Sequence, residues 1–546
     1  MRLPVLYFAI AMALSSAART TYSAESAIIP MPAQVELNEG KSLDFNKGVS
    51  VNAPASLDFE AEVLKSILKD RLDATCNNKG VAVNLKINPS LGNEAYEISS
   101  GNNVLDITGG DAAGVYYALM TLDQILIGDV PQTADGRIAA VRVKDSPRFP
   151  HRALMLDPAR NFLPVDDVKR YIDRMSRYKF NVLQLHLTDD EGWRIEIESH
   201  PELTAVGAFR NSKPGAGAPD NGFYTRADMK KIIDYAAQRH IEIIPEMDIP
   251  GHTVALLAAH PEFGCKAAMP DSLIIGESHN LMLCAAQPEV YALLDDVISE
   301  LSEIFPSRRI HLGGDESVID RNWGKCSADS ALMAQHGYKE AAQLMNVFFS
   351  RVLDSVRSHG KEAILWCELD NIYPPANEYL FNYPSDITLV TWRYGLTPKC
   401  IELTHKHGNT LLMAPGEYAY LDYPQLKGDL PEWNNWGMPV TTLRRTYEFD
   451  PGYGLAPDEQ SHIGGVMATL WGEAISDINR ASYMTYPRAL AIAEAGWTPM
   501  ERRDWNSFRE RMWLNLADMM KAGVPLRAPF EASEVFDDNS SKPTAR

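Results

Sequence analysis

The chain has 546 residues and a formal net charge of −20, with 45% hydrophobic and 23% charged residues. These values are typical of a globular protein with more than one domain, or of one large barrel with additions. The negative charge argues against a nucleic acid as partner, because phosphate binding needs a basic surface and the sequence has no basic patch.

The first residues have the pattern of an export signal. Arg2 precedes an apolar run over residues 3–14, and the small residues Ser15-Ser16-Ala17-Ala18 follow it. A charged start, a short apolar segment and small residues for cleavage are typical of a secretory signal peptide. We therefore expect residues 1–18 to be a signal peptide and the protein to be exported, either periplasmic or secreted. No later segment predicts a membrane span.

Residues 24–145 predict a small α+β domain. Short strands are predicted over residues 81–87, 95–98 and 104–107. A helix is predicted over residues 112–127, where apolar side chains recur every three to four positions. Strands with one amphipathic helix indicate a sheet covered by a helical layer. No catalytic group of residues stands out here.

From residue 148 to 500, apolar strands alternate with amphipathic helices or long loops. Eight strands are predicted, over residues 153–156, 182–187, 241–244, 310–313, 363–366, 387–392, 410–413 and 465–471. The helices predicted between and after them include residues 290–304, 339–358 and 483–495. Eight such units over about 350 residues predict a parallel (β/α)8 barrel.

The alternative architecture is an open doubly wound sheet. It is disfavoured because no glycine-rich dinucleotide or phosphate loop follows the first strand. Residues 501–546 complete the chain. We expect them to form a helix that packs on the barrel and then a polar tail.

Polar or aromatic residues close almost every predicted strand, at the end of the barrel where catalysis takes place. The strand-end residues are Asp157, Arg160, His186, Asp189, Glu246, Asp248, His252, Asp315, Glu316, Trp366, Glu368, Trp392, Arg393, Tyr418, Tyr420, Asp422, Trp471 and Glu473. One such residue is ordinary, but packing alone does not explain a full ring of them. Aromatic faces beside acids and arginine suit a sugar, whose C–H face stacks while its hydroxyls form hydrogen bonds.

The fourth strand leads into Ile310-His311-Leu312-Gly313-Gly314-Asp315-Glu316. Two glycines at a strand end allow a close approach of backbone and ligand. Two adjacent carboxylates in a confined site differ in how readily they ionise, as acid/base chemistry requires. A solvated acidic turn is the alternative for this motif taken alone.

The six cysteines are Cys76, Cys265, Cys284, Cys326, Cys367 and Cys400. In an oxidising compartment some of them are expected to pair. Cys265 and Cys284 flank a polar loop and are the preferred pair, although connectivity does not follow from sequence. No spacing of cysteine and histidine predicts a zinc site, so we expect no metal and no cofactor.

Five motifs resemble those of glycoside hydrolase family 20, the β-N-acetylhexosaminidases, and the resemblance extends over about residues 25–525. They are Asp157-Pro158-Ala159-Arg160-Asn161-Phe162, Asn181 to Asp190, Glu246-Met247-Asp248-Ile249-Pro250-Gly251-His252, His311 to Glu316, and Leu470-Trp471-Gly472-Glu473. The resemblance implies a small α/β domain before a (β/α)8 catalytic barrel. It also implies removal of terminal β-linked GlcNAc or GalNAc from glycans, with the substrate's 2-acetamido oxygen as nucleophile.

The resemblance assigns roles to residues of this chain. Glu316 would be the general acid/base, Asp315 would accept the acetamido N–H, and Tyr420 would donate to the acetamido oxygen. The residues implied to bind substrate are Arg160, Asp189, His252, Trp366, Trp392, Asp422, Trp471 and Glu473. Glu246 and His311, with Asp189 and His252, would orient the acid pair.

Three alternatives remain open at this stage. The same fold could have chitobiase-like or lacto-N-biosidase-like specificity. The barrel could bind GlcNAc without hydrolysing it. A metal-dependent hydrolase could use His186, His252 and His311, although these lack the close pairing of metal ligands.

Overall fold

The structure is a computed structural model that describes residues 27–77, 79–127, 137–210, 221–277, 280–368, 382–426, 439–456 and 459–530. The chain divides into two compact units. One contains residues 1–146 and 502–518, and the other contains residues 147–501 and 519–546. The predicted signal peptide lies outside the described residues. Across the described part of the chain, no helix has the length and apolar character needed to cross a bilayer.

The first unit contains a mixed six-stranded sheet in the order β1-β6-β4-β5-β3-β2. Its strands are β1 (Gln34–Asp44), β2 (Val49–Asn52), β3 (Val81–Ile87), β4 (Tyr96–Gly101), β5 (Val104–Gly109) and β6 (Arg137–Asp145). Its first two helices are α1 (Asp58–Leu72) and α2 (Ala112–Ile125). The predicted strands and helix lie here, whereas β1, β2 and β6 were not predicted. Buried and exposed residues alternate along β3, as in a sheet with one covered face.

The second unit contains a closed parallel barrel, which confirms the predicted fold and rules out the open sheet. The barrel strands are β7 (His151–Leu156), β8 (Val182–His186), β11 (Glu242–Glu246), β12 (Arg309–His311), β13 (Glu362–Trp366), β14 (Thr388–Thr391), β15 (Thr410–Met413) and β16 (Ile463–Leu470). The short strands β9 (Thr188–Asp189) and β10 (Gly192–Trp193) form a hairpin after β8. Each predicted strand end lies within two residues of the observed one.

Helices and loops connect the barrel strands. The helices are α3 (Val165–Ser176), α4 (Glu202–Gly207), α5 (Arg226–Ala237), α6 (Val254–Ala259), α7 (Pro288–Ile304), α8 (Ser327–His336), α9 (Leu344–Ser358), α10 (Thr397–His407), α11 (Gly416–Ala419), α12 (Leu443–Tyr447), α13 (Ile478–Thr485) and α14 (Arg488–Trp497). In α3, Val168, Tyr171, Ile172 and Met175 are buried, as their helical spacing predicts.

Two predicted helices have different bounds in the structure. The helix predicted over residues 339–358 begins only at Leu344, because a 3₁₀ turn at Ala341–Gln343 precedes it. The helix predicted over residues 483–495 is two helices, α13 and α14. Pro487 lies between them as the N-cap of α14, and it has no N–H with which to continue α13.

The last helix, α15 (Trp505–Lys521), was expected to pack on the barrel, but most of it is grouped with the first unit. Residues 502–518 belong to the first unit. Arg511 donates to the backbone oxygen of Ile28 at 2.7 Å, and Asp518 accepts from Arg71 at 2.6 Å. Buried polar groups of the helix are thus satisfied by the N-terminal unit, which the polarity of the helix alone could not reveal.

The cysteines also differ from the prediction. Cys265 and Cys284 are buried and are both free thiols, so the disulfide predicted between them is not formed in this structure. Instead, Cys265 Sγ lies 3.1 Å from Asp329 Oδ2, and Cys284 Sγ lies 3.4 Å from Asp329 Oδ1. A carboxylate therefore accepts from both thiols.

Candidate active site

The carboxyl ends of the barrel strands bring the predicted site residues together. Apolar side chains fill the barrel below them, namely Ala153, Met155, Val182, Ile244, Ile364, Val390, Leu412, Ala414 and Met467. Trp366 belongs to the same buried cluster, and Trp392 and Trp471 pack against it. The site is therefore built on a rigid packed core.

The two positions before the acid pair require glycine, because a side chain at Gly313 would collide with Asp248 and because both residues have positive φ values. Gly313 and Gly314 have φ values of 64° and 96°, which favour glycine. A Cβ on Gly313 would lie 1.8 Å from Asp248 Oδ1. That oxygen accepts the Gly314 N–H at 3.1 Å, so Asp248 holds the turn that presents the two acids.

The two acids of the pair have different environments. Asp315 is 6% exposed, and its Oδ1 has no hydrogen-bond partner among the described residues. The Glu316 side chain is 37% exposed. Burial and the charge of Asp315 raise the pKa of Asp248 well above its usual range. A neutral Asp248 adds no second negative charge beside Asp315.

The backbone of Glu316 is strained and is held by groups from the next two strands. Its φ of 46° is in the left-handed region, at a cost of about 1–3 kcal/mol for a residue with a side chain. Its N–H donates to Glu368 Oε2 at 3.2 Å, and Arg393 Nε donates to Glu368 Oε1 at 2.6 Å. Burial raises the pKa of Glu368 to about 7, against the lowering effect of Arg393.

Glu368 and Arg393 received no role from the sequence. They were noted only as residues that close the fifth and sixth strands. The signal that could have identified them is their pairing: opposite charges at the ends of neighbouring parallel strands are expected to meet at the same edge.

A chain of charged contacts connects Arg160 to Glu316. Arg160 Nη2 lies 2.8 Å from Asp189 Oδ2, and Asp189 Oδ1 lies 3.2 Å from His252 Nδ1. His252 Nε2 lies 3.7 Å from Glu316 Oε2. Burial alone would lower the pKa of His252, but the charge of Asp189 and its hydrogen bond raise it well above 6.5. His252 therefore presents an imidazolium to Glu316 at neutral pH.

Asp189 lies behind the site surface, because its side chain is only 1% exposed. Its oxygens are engaged by Arg160, His186 and His252. Burial would raise the pKa of Asp189, but Arg160 and His252 lower it well below its usual range. Asp189 was expected among the substrate-binding residues, whereas this geometry fits a residue that positions Arg160 and His252.

Glu246 is a buried hub below the acid pair. It accepts hydrogen bonds from Gln184 Nε2 at 2.7 Å and from Trp366 Nε1 at 2.8 Å. His186 Nδ1 and His311 Nδ1 lie 3.0 and 3.1 Å from its oxygens. Against the effect of burial, these two histidines lower the pKa of Glu246 well below its usual range. These contacts hold the Trp366 ring and the end of strand β12, which leads to Asp315 and Glu316, in place.

Aromatic rings lie beside the acid pair. The ring centroids of Trp366 and Trp471 are 5.7 Å apart, and those of Tyr420 and Trp471 are 6.4 Å apart. Trp366 is 1% exposed, whereas Trp392 and Trp471 are partly exposed. Tyr420 Oη and Trp392 Nε1 are buried without a hydrogen-bond partner among the described residues. These polar atoms can bind a ligand, since buried polar groups in proteins are otherwise hydrogen-bonded.

The remaining predicted residues, Arg160, Asp422 and Glu473, lie around Trp471. The Arg160 guanidinium lies 4.9 Å from the Trp471 ring centroid and also pairs with Asp157 at 3.0 Å. Asp422 Oδ1 lies 3.4 Å from the Trp471 backbone N–H. Burial and the nearby charge of Glu473 raise the pKa of Asp422 to about 8, so it can donate as well as accept. Glu473 is exposed.

The three histidines of the metal-hydrolase alternative do not converge. His186 and His311 are fully buried around Glu246, whereas His252 lies between Asp189 and Glu316. Among the described residues, no group of potential metal ligands contains two of these three histidines. The geometry therefore gives this alternative no support.

Comparison with known proteins identifies the family. Residues 149–500 match the model of the glycosyl hydrolase family 20 catalytic domain, and residues 25–146 match its domain 2. A β-hexosaminidase of Akkermansia muciniphila is 39% identical over 428 residues, which are 78% of this chain and 83% of that protein.

Solved structures agree with the family match. A family 20 exo-β-N-acetylglucosaminidase from Vibrio harveyi, in complex with N-acetylglucosamine, superposes with a TM-score of 0.80 at 30% identity, over 94% of this chain and 80% of that one. A Streptomyces plicatus N-acetyl-β-hexosaminidase superposes with a TM-score of 0.75 at 31% identity, over 93% and 97% of the chains. The resemblance of the five motifs is confirmed, and the chain belongs to glycosyl hydrolase family 20.

Proposed function

We propose that this glycoside hydrolase is an exo-acting β-N-acetylhexosaminidase that releases terminal β-linked GlcNAc or GalNAc from glycans. The observation that carries the proposal is that Asp315 Oδ1, Tyr420 Oη and Trp392 Nε1 are buried without a hydrogen-bond partner among the described residues, at the barrel end that also presents the partly exposed carboxyl of Glu316. A 2-acetamido group offers an N–H for Asp315 and an oxygen for Tyr420. The names of the relatives support the same activity.

Asp315 and Tyr420 would hold the acetamide for attack. Burial raises the pKa of Tyr420 well above its usual range, so its hydroxyl keeps the proton that it donates to the acetamido oxygen. The Asp315 carboxylate would accept the acetamido N–H and stabilise the positive charge that develops as the oxygen attacks the anomeric carbon. Fixing the internal nucleophile converts the attack into a well-oriented unimolecular step.

Glu316 would supply the proton transfers. In the first step it protonates the leaving glycosidic oxygen while the acetamido oxygen forms a bond to the anomeric carbon. In the second step its carboxylate takes a proton from water, which opens the oxazolinium ring. Two inversions at the anomeric carbon give net retention.

The arrangement also explains how adjacent acids can serve a retaining enzyme. Ordinary retaining glycosidases place their two carboxyl groups about 5 Å apart on opposite sides of the bond. Asp315 and Glu316 are neighbours after one strand, so one cannot serve as a nucleophile opposite the other. A nucleophile supplied by the substrate removes that requirement.

The direct test compares aryl glycosides that differ only at C2. Hydrolysis of p-nitrophenyl β-GlcNAc and β-GalNAc is expected, with the β-anomer of the sugar as the first product by NMR. The β-glucoside lacks the internal nucleophile, so its kcat/KM should be lower by about 10⁴-fold or more. Equal turnover of the glucoside, or the α-anomer as first product, would refute the mechanism. Binding of GlcNAc with no hydrolysis would favour the non-catalytic alternative.

We propose that the enzyme releases a single sugar, rather than acting like a chitobiase or a lacto-N-biosidase. Asp422 and Glu473 lie beside Trp471, where their oxygens can bind the C4 and C6 hydroxyls of a terminal sugar. Arg160, held by Asp157 and Asp189, can bind the C3 and C4 hydroxyls. A panel of aryl β-glycosides of GlcNAc, GalNAc and N-acetylated disaccharides separates these specificities, because a biosidase releases the intact disaccharide.

The imidazolium of His252 gives a pH prediction. Its raised pKa keeps the charge through neutral pH, and the charge is lost as pH rises through that pKa. The attraction between this charge and the Glu316 carboxyl group, which lies 3.7 Å away and is partly exposed to water, is about 1 kcal/mol. In His252→Asn, we expect kcat/KM to fall about fivefold, because the carboxylate formed at proton donation is less stabilised. The basic limb of the profile of kcat/KM against pH reports loss of the proton that Glu316 donates. In the variant this limb should move to higher pH by roughly 0.7 unit.

The matched control is His336→Asn, which changes an exposed histidine. Its pH profile should equal that of the wild type. An unchanged basic limb in His252→Asn would contradict the contact between His252 and Glu316.

We also propose that the protein is exported, on the basis of the signal pattern in residues 1–18. N-terminal sequencing of the protein from its native host tests this, since export predicts a mature chain that begins after about residue 18.

A further inference from the structure

Three cysteines and one aspartate form a buried cluster in the loops of the barrel unit. Cys265, Cys284, Cys326 and Asp329 each offer one ligand atom, and these four atoms lie within 4.8 Å of one another. Cys284 Sγ lies 4.0 Å from Cys326 Sγ, and Cys265 Sγ lies 3.1 Å from Asp329 Oδ2. A tetrahedral zinc ion with bonds of about 2.3 Å places its sulfur ligands about 3.8 Å apart, close to these separations.

The loops are built so that the four side chains converge. Cys265 and Cys284 lie on the segment after β11, where an antiparallel bridge between Gly264 and Leu283 brings them together. Cys284 N–H donates to the backbone oxygen of Phe263 at 2.8 Å. These backbone contacts fix the two thiols independently of any bond between them.

The other two ligand residues come from the segment after β12. Cys326 is the N-cap of helix α8, and Asp329 lies in its first turn. The Cys-x-x-Asp spacing at a helix start directs both side chains to one point. The backbone N–H of Asp329 hydrogen-bonds to Cys326, as is favourable for a thiolate.

The charge of the cluster favours a cation. Asp329 is fully buried, and its side chain accepts hydrogen bonds from Cys265, Cys284 and the Ala286 N–H at 2.8 Å, none of which carries a positive charge. A buried carboxylate without a compensating charge is costly. A bound divalent ion would deprotonate the thiols and compensate Asp329.

We propose that Cys265, Cys284, Cys326 and Asp329 form a tetrahedral structural site for a thiophilic divalent cation, with zinc as the fitting ion. Three thiolates select such a metal over magnesium or calcium, and four protein ligands leave no open position for catalysis. The spacing of cysteine and histidine in the sequence did not predict this site, because one ligand is an aspartate and the cysteines are far apart in the chain.

The site would join two segments that carry active-site residues. The segment after β11 contains His252, and the segment after β12 contains Glu316. Direct contacts already connect them, since Trp323 Nε1 donates to the Leu283 oxygen at 2.8 Å and Met282 N–H donates to Asn322 at 3.2 Å. A metal ion would fix this connection and thereby stabilise the contact of His252 with Glu316.

The test measures metal content and spectrum in the full-length protein, purified without chelator and without a metal-affinity column. We expect about one zinc per chain by mass spectrometry of the metal. After exchange with Co²⁺, we expect thiolate-to-cobalt charge transfer and the visible bands of a tetrahedral site. The variants Cys326→Ser and Asp329→Asn should lose the zinc, whereas Cys400→Ser, which changes a buried cysteine outside the cluster, should keep it.

Two further readouts keep the proposal falsifiable if a variant fails to fold. A strong chelator should lower the Tm of the wild type by roughly 5 °C or more. Peptide mapping without reduction should find Cys265 and Cys284 as thiols that react with alkylating agents only after chelation. A Cys265–Cys284 disulfide, or wild-type protein without bound metal and without a cobalt spectrum, would overturn the proposal.

Discussion

Replacement of Glu316 by glutamine is expected to lower kcat on a β-linked GlcNAc disaccharide by about 10⁴-fold, at the upper end of the range for loss of a general acid. Glutamine keeps the size of the side chain but cannot give or take the proton. The loss should be smaller on the p-nitrophenyl glycoside, because p-nitrophenolate leaves without protonation. The difference between the two substrates is the signature of a general acid.

Steady-state kinetics on both substrates, with circular dichroism as a check of folding, measure this effect. Asp320→Asn is the matched control, because Asp320 is an exposed acid a few residues further along the same segment. It should retain wild-type kinetics. Glu316→Gln with more than a tenth of wild-type activity on the disaccharide would exclude Glu316 as the acid.

Asp315→Asn is expected to lower kcat by about 10²- to 10³-fold, the range seen when one group that stabilises the transition state is removed. The reason differs from that for Glu316. Asparagine removes the negative charge that faces the developing positive charge, and its amide can present an N–H where the acetamide needs an acceptor. KM should change less than kcat, because the interaction strengthens in the transition state.

A thiazoline that mimics the cyclised intermediate provides the second measurement for Asp315. Its affinity should fall by about the same factor as kcat, while the affinity for GlcNAc falls less. The Tm should not decrease, because Asp315 Oδ1 forms no hydrogen bond to a described residue. A lower Tm together with unchanged thiazoline affinity would indicate that Asp315 only supports the fold.

The barrel could be predicted because its strands are nearly continuous apolar runs. The residues of β8 are all buried, and such a run with polar residues after it is a strong signal. The strands β1 and β6 of the N-terminal unit were missed. β6 alternates between buried and exposed residues with arginine and lysine on its exposed face, so its apolar content alone did not distinguish it from a loop.

The acid pair and its aromatic neighbours could be predicted from motifs, whereas their supports could not. The roles of Glu368 and Arg393 depend on a contact between two strands and on the φ of Glu316. Likewise, two of the three partners of Asp189, namely Arg160 and His252, come from the ends of other strands. One sequence can indicate which strand ends lie at the same edge of the barrel, but coordinates are needed to show which side chains meet there.

The unpartnered atoms of Asp315, Tyr420 and Trp392 have a consequence for protein engineering. A buried polar atom without a partner among the described residues stabilises the fold less than a well-packed apolar group of the same shape would. Apolar substitutions at these positions would therefore make the resting protein more stable. Selection of a library for heat resistance alone would remove the site, so thermostable variants of this enzyme have to be selected with a ligand bound.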